Sequence, residues 1–118
     1  MTSYPAPSPT DLSPEAIALL EKARMSRIAI DDAARDTATA ADELRRYARF
    51  SRPGQPSAHI VQLRQRQARA RIKSSQAKQA FLQAAREFVH TAGLLPANMS
   101  LESFVLECIE RAAQGPSR

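Results

Sequence analysis

Residues 57–92 read SAHIVQLRQRQARARIKSSQAKQAFLQAAREFVHTA, and the secondary structure of this segment determines the architecture of the chain. It holds no proline or glycine and is rich in Ala, Gln, Arg, Lys and Leu, which favour helices. Small and apolar residues recur at alternating intervals of three and four, which is typical of a helix that packs along one stripe. The stretch therefore predicts one long helix over 57–92, ended by Gly93 in the left-handed conformation. The predicted stripe comprises Ile60, Leu63, Gln67, Ala70, Ser74, Ala77, Phe81, Ala84 and Phe88.

A second long helix is predicted before it, over about residues 14–50. Ser13 is a favourable N-cap, and Pro14 suits the first helical position. The segment Ser51-Arg52-Pro53-Gly54-Gln55-Pro56 ends this helix, because proline and glycine interrupt helices. The same spacing rule predicts its stripe as Ala16, Leu20, Ala23, Arg27, Ile30, Ala34, Thr37, Ala41, Leu44 and Ala48.

A short third helix is predicted over residues 100–114, with Ser100 as its N-cap. Its apolar stripe contains Leu101, Phe104, Val105, Cys108, Ile109 and Ala112. The fold class is therefore mostly α, with two long helices and a short C-terminal one. Residues 13–114 are predicted to form a single helical domain between flexible tails at 1–12 and 115–118.

Charge is distributed unevenly along the chain. Residues 45–86 carry eleven basic and no acidic side chains, whereas residues 1–44 carry four basic and eight acidic ones. Two interpretations stay open at this point. Acidic residues of the first helix could pair with the basic segment in an antiparallel hairpin, or the basic segment could bind nucleic acid. A membrane-surface helix ranks below both, because the segment lacks the required apolar face.

Composition excludes several functional classes. Three glycines cannot supply a glycine-rich phosphate loop, and no apolar run is long enough to span a membrane. The N-terminus lacks the pattern of a secretory signal, and the lone Cys108 indicates a reducing cytoplasm. Cys108 itself is interpreted as a small buried hydrophobe, and His59 and His90 have no metal-ligand spacing. We therefore expect no enzyme activity, no metal and no cofactor.

Residues 68–114 read ARARIKSSQAKQAFLQAAREFVHTAGLLPANMSLESFVLECIERAAQ. The alternating cations at the start and the MSLESFVLE segment resemble the ribbon-helix-helix DNA-binding family, particularly its antitoxin-type regulators. The resemblance implies a short strand at 68–73 that pairs across a homodimer and enters the major groove. Arg69, Arg71 and Lys73 would then read base edges, and the backbone near Ser100 would hold a phosphate. Strand and continuous helix are alternatives for residues 68–73.

The sequence thus predicts a cytoplasmic, homodimeric DNA-binding protein that acts through residues 45–86, such as a small transcriptional regulator or a plasmid or phage accessory factor. The alternative is a helical-hairpin adaptor or inhibitor that binds an acidic surface of a partner protein. No membrane partner is expected. The candidate nucleic-acid-binding residues are Arg64, Arg66, Arg69, Arg71, Lys73 and Ser100.

Overall fold

The computed structural model describes residues 12–49, 57–94 and 99–114, and the chain forms three helices within them. The helices are α1 (Pro14–Ala48), α2 (Ala58–Ala92) and α3 (Leu101–Ala113). The first two are 35 residues long and the third has 13. Two long helices and a short C-terminal one are confirmed. The predicted flexible tails, apart from Leu12, lie outside the described residues.

The prediction of a strand at residues 68–73 is wrong. These residues lie in the middle of α2, and no described residue is in a strand. Their propensities explain the outcome. Ala, Arg and Lys favour helix, and the only β-branched residue among them, Ile72, has 58% of its surface exposed and adds nothing to the core. In a strand Arg69, Arg71 and Lys73 would share a face, whereas in α2 Arg71 points away from Arg69 and Lys73, which are one turn apart on another face.

A serine side chain caps the N-terminus of each of the three helices. The Ser13 hydroxyl accepts a hydrogen bond from the Ala16 amide at 3.2 Å, and the Ser57 hydroxyl accepts one from the Ile60 amide at 3.3 Å. The Ser100 hydroxyl does the same for the amide three residues further on, at 3.1 Å. Each bond satisfies one of the amides that have no partner at a helix start. The capping roles predicted for Ser13 and Ser100 are confirmed.

A Schellman motif ends α2. Gly93 has φ +68°, its amide donates to the His90 carbonyl at 3.2 Å, and the Leu94 amide donates to the Val89 carbonyl at 2.9 Å. Glycine adopts this left-handed conformation without steric cost, so the chain leaves the helix at this residue, as predicted.

The chain divides into two compact units. The first, which we call the three-helix unit, comprises residues 1–27 and 79–118. It holds the start of α1, the end of α2 and all of α3. Its largest fully buried side chains are Phe88, Phe104, Val105 and Cys108. Burial of these side chains stabilises the unit.

The second, which we call the hairpin unit, comprises residues 28–78. The rings of Tyr47 and His59 meet edge to face with centroids 4.5 Å apart, and an ion pair joins Asp36 to Arg66 further along. These contacts make the two helices antiparallel. The seam between them is buried and mostly small, with Ala33, Ala40, Ile60, Leu63, Ala70 and Ala77. Small seam residues let helix axes approach closely.

Seven of the nine predicted stripe positions of α2 are buried, and Gln67 and Ser74 are half-buried, but the prediction for α1 is wrong in the hairpin unit. Ala34 and Ala48 are exposed, whereas Ala33 and Ala40 are buried. α1 belongs to the three-helix unit up to Arg27 and to the hairpin unit from Ile28, where α2 is the other helix. The buried side of α1 changes with the set of helices against which it packs, so after Ile30 the seam continues one residue earlier than the strict repeat predicts.

Candidate nucleic-acid interface

The hairpin unit carries all the excess positive charge of the chain. Residues 28–78 include eleven basic and five acidic side chains, a net charge of +6. The residues of the three-helix unit sum to −1. Any electrostatic interaction with an anionic partner therefore concerns the hairpin unit first.

One flank of the hairpin unit is internally neutralised, and we call it the paired flank. Here Asp36 and Glu43 of α1 lie near Arg66 and Lys73 of α2. The Arg66 guanidinium donates to Oδ1 of Asp36 at 2.9 Å. This hydrogen bond, together with the charges of Arg66 and Lys73, holds the pKa of Asp36 below its ordinary value. The same bond and the nearby carboxylates raise the pKa of Arg66. Acid and base therefore compensate each other along this flank.

The opposite flank of the hairpin unit, which we call the open flank, presents Arg71 and Lys78 beside small uncharged side chains. Arg64, Arg71 and Lys78 follow one another at seven-residue intervals on one side of α2, about 10 Å apart along its axis. All three are exposed and make no ion pair with any residue that the structure describes. On the α1 side this flank presents Ala34 and Ala41. No acidic side chain within the described residues therefore pairs with the cations of the open flank.

A shallow groove of about 460 Å³ runs between α1 and α2 along this flank, and we call it the open-flank groove. Its lining consists of Ala34, Thr37, Ala38, Ala41, Arg71, Ser74, Ser75 and Lys78. Two cations thus stand beside a surface of methyl groups and hydroxyls. Because those side chains are small, an anionic ligand can approach the two helices closely there.

Two further cations of the hairpin unit, Arg45 and Arg46, are partly neutralised within α1. Asp42 pairs with Arg45 at 2.7 Å and with Arg46 at 4.0 Å. These pairs are exposed and local, so each contributes little to stability. Arg49 and Arg69 are exposed and make no ion pair within the described ranges. Both can add to a cationic surface, but neither lines the open-flank groove.

The structure distributes the six predicted site residues over several surfaces. Arg64 and Arg71 are on the open flank, whereas Arg66 and Lys73 are on the paired flank. Arg69 is exposed and lies one turn from Lys73 on α2. Ser100 belongs to the three-helix unit, where its hydroxyl caps α3 and also donates to the Ser103 hydroxyl at 2.9 Å.

Sequence reasoning missed Lys78 and the alanines that face the open flank. The signal was present in the spacing, since Arg64, Arg71 and Lys78 share one heptad position. The alanines Ala34 and Ala41 also share one heptad position in α1. Whether these alanines contribute to a binding surface depends on which residues of α2 lie opposite them. The sequence does not give that alignment of the two helices.

Chemistry of other kinds has little support in the described residues. Burial, with a smaller contribution from Glu107, raises the pKa of the Cys108 thiol to about 11, so the thiol stays protonated at neutral pH. No three His, Cys, Asp or Glu side chains within 12–49, 57–94 and 99–114 are grouped in a way that could hold a metal ion. Cys108 packs as a small apolar residue, as its position in the α3 stripe predicted.

Comparisons with known proteins identify no relative. No family model matches the chain, and no curated protein or solved structure is significantly similar to it. The resemblance to the ribbon-helix-helix family is therefore untested by these comparisons. Among the helices described, none is both long enough and apolar enough to cross a membrane.

Proposed function

We propose that the chain binds nucleic acid through the open flank of the hairpin unit. The observation that carries the proposal is the asymmetry of the hairpin. On the paired flank Asp36 compensates Arg66, whereas on the open flank Arg71 and Lys78 lie across the groove from alanines. Uncompensated like charges repel one another, and a polyanion that neutralises them removes this cost.

The spacing of the open flank suits an extended polyanion better than a single small anion. From Arg64 to Lys78 the cations cover about 21 Å of helix length. Duplex DNA presents a phosphate charge about every 1.7 Å along its axis, so a row of this length has a phosphate within reach of every cation. Contacts to phosphates carry no base information. With residues 68–73 in a helix, Arg71 is proposed to contact phosphate and not base edges.

The experiment is a measurement of binding to a labelled random-sequence DNA duplex by fluorescence anisotropy over a series of salt concentrations. We expect log K to fall linearly with log salt, with a slope of about −2.7 or steeper for three neutralised phosphates. An absence of binding at low salt, or an affinity that does not change with salt, contradicts the proposal. Such a protein would act as a small DNA-binding regulator or accessory factor.

A second candidate function is a helical-hairpin adaptor that binds an acidic protein surface. The shape of the open-flank groove favours it, because a groove between two helices with small side chains also accepts a third helix. A helical, glutamate-rich peptide is a suitable probe. Binding of this peptide together with no affinity for the duplex supports the adaptor and excludes the nucleic-acid proposal.

The proposal includes a cytoplasmic location, where the single Cys108 thiol stays reduced, and a homodimer in solution. A dimer increases the number of phosphates that one complex can neutralise and therefore steepens the salt dependence. Light scattering on the full chain measures the mass directly, and a monomeric mass at the concentrations used for binding contradicts the homodimer.

A further inference from the structure

We infer that the open-flank groove is the position where a sugar–phosphate backbone binds, with α1 supplying one side of the site and α2 the other. The inference rests on the proposed function and adds to it α1 residues that carry no charge. Its ligand class is a phosphodiester chain held by its phosphate and sugar groups.

The α2 side of the groove offers hydrogen-bond donors in a line. Arg71, Ser75 and Lys78 lie at i, i+4 and i+7, so they occupy successive turns on one face of the helix. A guanidinium can donate two parallel hydrogen bonds to a phosphate, an ammonium acts as a point charge, and a hydroxyl donates one further bond. None of the three side chains hydrogen-bonds to another described residue. Their donors are therefore available to a ligand.

The α1 side of the groove supplies space. Ala34, Ala38 and Ala41 present only methyl groups there. Thr37 is the one polar residue on this side, and its hydroxyl already donates to the Ala33 carbonyl at 2.9 Å. The α1 side therefore adds no charge of either sign, and it leaves the groove free for a ligand that the cations of α2 attract.

The positive charges of Arg71 and Lys78 determine which class of ligand the groove binds. An apolar ligand would leave Arg71 and Lys78 beside it without a counter-ion, whereas a phosphodiester chain places anions next to both. Because donors to phosphate and sugar fix position without reading bases, binding in the groove is expected to be independent of sequence.

The test fills the groove without changing any charge. Ala38→Leu places a bulky neutral side chain in the groove, and Ala29→Leu makes the same change at an exposed α1 position that does not line it. Ser75→Leu fills the groove from the α2 side, so two independent variants address the same space. All are made in the full chain, checked for helicity by circular dichroism and titrated with the random-sequence duplex.

The two groove variants are expected to bind the duplex more weakly, by roughly eightfold at about 0.1 M salt for each phosphate that the chain no longer neutralises. Their salt slope becomes less negative by about 1.8 if neither Arg71 nor Lys78 reaches its phosphate. Ala29→Leu retains the affinity of the unaltered chain. If Ala38→Leu and Ser75→Leu bind as tightly as the unaltered chain, the groove is not the binding position, although the proposed function stands.

Two further outcomes also decide the question. If the unaltered chain does not bind the duplex, both the proposed function and this inference fail. If the glutamate-rich helical peptide binds and only its binding is abolished in Ala38→Leu, the groove accepts a protein helix and the phosphodiester assignment is overturned.

Discussion

An acidic residue at position 34 should weaken the binding of nucleic acid by the open flank. Ala34→Glu places a carboxylate across the groove from Arg71, the kind of arrangement that Asp36 and Arg66 have on the paired flank. We expect the new carboxylate to compensate the Arg71 charge. With one phosphate fewer neutralised, the salt slope becomes less negative by about 0.9 and binding weakens roughly eightfold at about 0.1 M salt. Repulsion between the carboxylate and a phosphate weakens binding further.

The matched control is Thr39→Glu, which makes the same change in net charge at an exposed position of α1 outside the groove. Both variants are titrated with the random-sequence duplex at several salt concentrations, with anisotropy as the readout. Carboxylates on a distant face are largely screened at physiological salt, so Thr39→Glu should lose much less affinity. Equal losses in the two variants would show that total charge governs binding, and the distinction between the flanks would be refuted.

Other predictions concern the paired flank and the folded core. Asp36→Asn frees Arg66 and Lys73, so duplex affinity should rise, and weaker binding would contradict this account of the paired flank. Because the pKa of Asp36 is lowered in the folded state, its stabilising effect is present above the ordinary value of 3.8 and lost as pH falls through the folded value. Urea unfolding at neutral and acidic pH should therefore show the destabilisation by Asp36→Asn only at neutral pH. Phe88→Ala removes a fully buried ring and should cost about 3–5 kcal/mol of unfolding free energy by urea titration, whereas a change below about 1 kcal/mol contradicts the burial. Gly93→Ala should lower the free energy of unfolding by about 1–2 kcal/mol. An added Cβ meets no atom within 4 Å, so the cost comes only from the left-handed backbone conformation. An unchanged melting temperature contradicts this prediction.

Local signals were sufficient to predict the helices and their ends. Ser13, Ser100 and Gly93 act through atoms within a few residues of themselves, so sequence alone contains the information that they use. The stripe of α2 was predictable for the same reason, since its positions follow from helical periodicity.

The strand at 68–73 and the later register of α1 were mispredicted for different reasons. The strand was predicted from the resemblance to the ribbon-helix-helix family, whereas local propensity favoured a helix. Propensity gave the correct structure for Arg69, Arg71 and Lys73. The α1 register failed after Ile30, because the helices against which α1 packs change where it passes from the three-helix unit to the hairpin unit. With Ala33 and Ala34 adjacent in the sequence, apolarity could not decide which one is buried.

The candidate site depends on relations between the two helices that the sequence does not contain. The eleven cations were evident from composition, but the sequence left open whether acids of α1 neutralise them or an external anion does. The structure shows that Asp36 pairs with Arg66, whereas Arg71 and Lys78 lie across from alanines. That difference follows from the antiparallel alignment of α1 and α2, which brings residues about thirty positions apart into contact.

Salt slopes for duplex binding show whether the open flank binds nucleic acid when the unaltered chain is compared with the triple variant Arg64→Gln, Arg71→Gln and Lys78→Gln. The double variant Arg66→Gln and Lys73→Gln, which removes cations that already have acidic neighbours, serves as the control. The account predicts a slope that is less negative by about 2.7 in the triple variant and close to that of the unaltered chain in the double variant. Equal slopes of log K against log salt for the triple variant and the unaltered chain would contradict this prediction.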